Sequence, residues 1–116
     1  MKLTRLALSL ALVLLMAGSA LAAKATVHFV VVPAALPSEQ LHDFNAFLVK
    51  NAGGYTVSRS TGGDSASFGA GYAPENLSYT VSAPKNLSRE IGGYLKKELG
   101  LKKIFLLTWP AERLEE

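Results

Sequence analysis

The chain has 116 residues, 12 Lys and Arg against 9 Asp and Glu, and no cysteine. The missing thiols exclude disulfide staples, thiolate metal sites and thiol catalysis. The formal charge of +3 falls to +1 when Lys2 and Arg5 are set aside with an amino-terminal leader, so there is no basic excess to hold nucleic acid.

Residues 1–22 read as a signal peptide. Lys2 and Arg5 are positive, Leu6 to Ala17 is an almost unbroken apolar run, and Ala20 and Ala22 stand at the −3 and −1 positions of a cleavage site. The run is too short to span a hydrocarbon core of about 30 Å as a helix. With no cysteine near the cleavage site there is no route to a lipid anchor. The signal resembles bacterial ones. The expectation is cleavage between Ala22 and Ala23, export to the periplasm or outside, and no stable membrane anchor afterwards. A single domain of residues 23–116 remains, short enough to depend on burial or on self-association for its stability.

Thr26–Pro33 is β-branched and aromatic, and Pro33 ends it. Both of its faces are apolar: Val27, Phe29 and Val31 on one, Val30 and Val32 on the other, with His28 in the second set. The spacing of Leu41, Phe44, Phe47 and Leu48 predicts a helix from Ser38 to about Ala52, stopped by Gly53-Gly54. Tyr55–Ser60 reads as a strand, with Tyr55 and Val57 on one face and Thr56, Ser58 and Ser60 on the other. Residues 61–74 form a glycine-rich loop. Leu77–Ala83 alternates cleanly, Leu77, Tyr79, Val81 and Ala83 facing inward. A second helix capped by Asn86 or Ser88 carries Leu87, Ile91, Leu95 and Leu99 four apart, with Gly100 as its stop. Lys103–Trp109 is the last strand, apolar on both faces and ended by Pro110, and Ala111–Glu116 is a polar tail.

The order βαββαβ fits an α+β ferredoxin-like sandwich, a four-stranded antiparallel sheet with two helices on one face. With this order, and with the Gly53-Gly54-Tyr55-Thr56 step from first helix to second strand, the chain resembles the small ferredoxin-like α/β-sandwich domains, PII-like and dimeric α/β-barrel proteins among them. The resemblance is architectural, and no diagnostic ligand motif comes with it. The superfold hosts many unrelated functions.

Motifs that carry chemistry are sparse. The run Gly69-Ala70-Gly71-Tyr72-Ala73-Pro74 lacks the third glycine of a dinucleotide fingerprint, and no Gly-Lys-Ser or Gly-Lys-Thr follows. His28 and His42 are the only histidines and have no metal-ligand spacing, so neither a metal nor a cofactor is expected. Serine is abundant but sits in no Gly-x-Ser-x-Gly elbow. Glu75, Glu90 and Glu98 read as surface charge, as does the cluster Lys96, Lys97, Lys102 and Lys103. The sequons at Asn76 and Asn86 read as coincidence and as a helix cap.

No catalytic constellation emerges. The expectation is an exported binding or assembly module acting as a homo-oligomer through its open sheet face. Two helices cover only one face, while strands one and four are apolar on both. The uncovered face then holds either Val30 and Val32, with His28, or Val27, Phe29 and Val31. The alternative is a small enzyme or a ligand- or metal-binding protein whose site forms between sheet and loop or between subunits. Its candidate residues are His28, Arg59 and Tyr72.

Overall fold

A computed structural model of the chain describes residues 22–62 and 75–114. The elements follow in the order β1 (Ala22–Pro33), α1 (Ser38–Ala52), β2 (Thr56–Thr61), β3 (Glu75–Ala83), α2 (Ser88–Lys97) and β4 (Phe105–Leu114). The four strands form one antiparallel sheet in the order β2-β3-β1-β4. This is the ferredoxin-like sandwich expected from the order of elements.

Both helices turn one stripe to the same sheet face. Phe44 and Leu48 of α1, and Leu87, Ile91, Leu95 and Leu99 of α2 and its flanks, meet Val30, Val32, Tyr79, Val81 and Ala83 in one buried cluster. Each large aliphatic or aromatic side chain fully buried there stabilises the fold by about 1.5–3 kcal/mol. Aromatic geometry adds order. The Phe44 and Tyr79 rings lie edge to face, with centroids 5.1 Å apart, and Phe47 stacks on Tyr94 at 4.4 Å. The Tyr79 hydroxyl donates to Asn45 Oδ1 at 2.6 Å, which carries its polar tip out of the core.

Glycine ends α1 as the sequence predicts. Gly53 has φ 89°, and its N–H donates to the Val49 carbonyl at 2.9 Å. The helix starts differ from expectation. Ser38 is the first helical residue of α1 rather than its cap, and among the described residues no side chain caps that end. At α2 the Asn86 Oδ1 accepts from the Ser88 N–H at 2.8 Å, and Leu87 holds the cap position.

Both outer boundaries of the β1–β4 ladder lie beyond the expected ones. β1 begins at Ala22 rather than Thr26, and β4 runs through Pro110 to Leu114 instead of stopping at Trp109. The two extensions pair with each other, from Ala22 opposite Leu114 to Thr26 opposite Pro110. Among the described residues β4 is an edge strand, bonded on one side only, and an edge is where a sheet tolerates proline. The stretch predicted as a polar tail is therefore largely strand.

Candidate functional site

The face of the sheet opposite the helices is the feature that the fold leaves unexplained. Side chains alternate along each strand, and the register fixes which of them become neighbours. Val27, Phe29 and Val31 of β1 lie opposite Trp109, Leu107 and Phe105 of β4. On the other side of β1 the same three lie opposite Ser82, Thr80 and Ser78 of β3. Thr80 and Ser78 in turn lie opposite Thr56 and Ser58 of β2, with Ser60 opposite Asn76. The open face is thus divided in two. Its β1–β4 half is aliphatic and aromatic, and its β2–β3 half is hydroxyl and amide. None of these positions is charged.

The apolar half is not hidden among the described residues. Phe105 is 51% exposed, Leu107 50% and Trp109 44%, and the Phe29 and Phe105 rings meet edge to face at 6.3 Å. The β1 side chains are half-buried beside them. In the hydroxyl half Ser60 and Ser78 bond to each other through Oγ at 2.6 Å. The Ser82 Oγ is buried with no hydrogen-bond partner among the described residues. One row beyond Val27 and Trp109 come Ala25 and Ala111. At this end of the ladder Lys24, Ala25, Thr26, Pro84, Pro110, Ala111 and Glu112, from both sets of alternating rows, line an open hollow of about 500 Å³.

Of the two sets proposed from sequence for the open face, the structure selects Val27, Phe29 and Val31. Val30, Val32 and His28 lie under the helices. His28 is fully buried. Its Nε2 accepts from the Leu87 N–H at 2.8 Å, and its Nδ1 lies 3.0 Å from the Val81 carbonyl oxygen. Both ring nitrogens are thus engaged within the core of the chain. Arg59 sits on β2, on the helix side of the sheet. It is exposed, and it donates from a guanidinium nitrogen to Glu75 Oε2 at 3.1 Å. β3 separates its strand from that of His28, so the two do not converge. Tyr72, with the rest of the glycine-rich loop from Gly63 to Pro74, lies outside the described residues.

Among the described residues no group of three or more His, Asp or Glu side chains is placed to hold a metal ion. No helix among them is long and apolar enough to cross a membrane. Each hydroxyl row was visible in the sequence as the outward set of an alternating strand. Their adjacency depends on strand order, which has no local signal.

No protein-family model matches the chain, and no curated protein matches it. Solved structures do. A PII-like signalling protein from Thermus thermophilus superposes with a TM-score of 0.55 at 13% identity, over 80% of this chain and 91% of its own. The nitrogen regulatory PII-like protein CPII from Thiomonas intermedia, in a structure bound to ADP, AMP and bicarbonate, superposes with the same score at 12% identity, over 82% of this chain and 98% of its own. The fold is that of the PII-like proteins. At such identities the likeness is one of backbone architecture, in agreement with the resemblance drawn from the order of elements.

Proposed function

We propose that this protein is an exported binding module that self-associates across the open face of its sheet. One observation carries the reading: six large apolar side chains stand contiguous and uncharged on a face that the helices leave bare. Contiguous apolar patches of several hundred Å² on soluble proteins mark contact surfaces. Association also supplies burial to a small chain without cysteine. The PII-like fold supports a small-molecule role for the assembly, since the Thiomonas protein of that fold is described with nucleotides and bicarbonate bound. Export rests on the order of charged, apolar and small residues at 1–22.

Two measurements test the proposal. Light scattering on the purified protein across a dilution series should show a mass above that of one chain, and a single-chain mass throughout would overturn self-association. Amino-terminal sequencing of the protein recovered outside the cytoplasm should begin at Ala23. Recovery only from the cytoplasm, with residues 1–22 retained, would overturn export.

A further inference from the structure

We infer that the copies meet over only one half of the open face, the β1–β4 strip of Val27, Phe29, Val31, Phe105, Leu107 and Trp109, and that the hydroxyl rows of β2 and β3 stay outside the contact. The inference rests on the self-association proposed above and names the part of the face that carries it. The occupant of the strip is a second copy of this chain.

Packing distance sets the border of the contact. Sheets stacked face to face lie about 10 Å apart because interdigitated side chains fill the gap. Phe29, Phe105, Leu107 and Trp109 are long enough to fill their share of that gap. Thr56, Ser58, Ser78 and Thr80 are not, so two hydroxyl rows set at the same separation would leave a slot between them. Desolvating the exposed Thr56, Ser58 and Thr80 hydroxyls without new partners would cost free energy at each one. Kept in water, they cost nothing. The border of the contact therefore falls between β3 and β1, where the chemistry of the face changes.

The lack of charge identifies the occupant. The strip has no charge to be matched by a partner of opposite sign, and the neighbouring hydroxyls carry none either. An uncharged apolar strip is complementary to another copy of itself. Three rows about 6.8 Å apart on two adjacent strands, with the β4 side chains about half exposed, present roughly 400 Å² on each copy. Two such strips bury roughly 800 Å² in all, below the about 1,200 Å² at which standard interfaces begin and in the range of weak, transient contacts, so the contact is reversible and responds to dilution.

Trp109 is the chain's single tryptophan and lies in the strip, so its emission reports the contact directly. The experiment follows Trp109 fluorescence and light scattering of the full chain and two variants between about 0.5 and 100 µM, a range suited to a contact of this size. Leu107→Lys places a charge in the strip, and Thr80→Lys places one in the hydroxyl half. Both positions are exposed, and circular dichroism checks that each variant folds. The wild type should associate with a blue shift of Trp109. Leu107→Lys should weaken association by about tenfold or more, and Thr80→Lys should change it by less than about twofold. If Thr80→Lys weakens association as much as Leu107→Lys does, the contact spans the whole face; the inference fails while self-association stands. If the wild type is a single chain at the highest concentration, both fail. A single chain whose Trp109 shifts blue only on adding phospholipid vesicles would overturn the second copy as occupant.

Discussion

His28 Nε2, at the middle of β1, accepts a 2.8 Å hydrogen bond from the backbone N–H of Leu87 at the start of α2. An accepting Nε2 leaves the ring hydrogen on Nδ1, which lies 3.0 Å from the Val81 carbonyl and donates to it. One side chain thus ties β1 to β3 and to the helix that packs over both. His28→Leu keeps the volume roughly similar but orphans the buried Leu87 N–H and removes the ring's bond to the Val81 carbonyl. The expected loss is about 2–4 kcal/mol by urea denaturation. A nitrogen-15 spectrum of the imidazoles should show Nδ1 protonated at His28. An Nε2–H tautomer would contradict the geometry.

Two glycine positions should respond to alanine with opposite signs. Gly53 has φ 89°, and an added methyl there would meet nothing within 4 Å, so the cost of Gly53→Ala is backbone strain alone. About 1 kcal/mol of destabilisation is expected. Gly93 lies inside α2 with ordinary helical φ and also has open space around it. Gly93→Ala should therefore stabilise the protein by about 0.5–1 kcal/mol. Thermal melts of the two variants beside the wild type check both. A drop in stability for Gly93→Ala would mean that something packs closely against that side of the helix.

The same pair of positions shows what could be read beforehand. Gly53 announces a helix stop by its place after an apolar stripe, and the strands and helices follow from periods of two and near four. What could not be read are the relations between distant segments. His28 sits in the row of Val30 and Val32, and a polar residue in an apolar row suggests an interface. Its partners Val81 and Leu87 lie 53 and 59 residues away, so nothing nearby in the chain says that both ring nitrogens are satisfied inside the core. Pro110 reads locally as a strand end. Only its place on the outer strand, opposite Thr26, lets the ladder continue past it. The open face is the third case. Strands one and four are apolar on both sides, so which side the helices cover depends on how α1 and α2 dock.

The two faces of the sheet should differ in their tolerance of change. Phe44 is fully buried against the covered face, edge to face with Tyr79. Phe44→Ala removes that packing and leaves a cavity, at an expected cost of about 3–5 kcal/mol. Leu107, half exposed on the other face, has far less to lose within one chain. Leu107→Ala should cost under about 1 kcal/mol when unfolding is followed at low protein concentration. Equal costs for the two substitutions would mean that the open face is covered within the single chain.

Alkaline pH should weaken the fold through its tyrosines. Burial raises the Tyr79 hydroxyl above its ordinary 10.0, with nearby Tyr55 adding to the effect. Tyr94 is raised in the same direction by burial, then by Asp43 and Glu98. A group that holds its proton more tightly in the folded state leaves stability unchanged while both states are protonated. Stability then falls once the unfolded chain begins to ionise and the folded one does not. The loss attributable to these groups should therefore begin as pH rises past 10 and continue up to the folded-state values. Tyr79→Phe should cost about 1 kcal/mol at neutral pH, because the bond to Asn45 is lost. In return, its stability should fall less steeply with pH than that of the wild type. Urea denaturation of both proteins from about pH 8 to pH 11 gives the two slopes. Parallel slopes would show that Tyr79 ionises as readily in the folded chain as in the unfolded one.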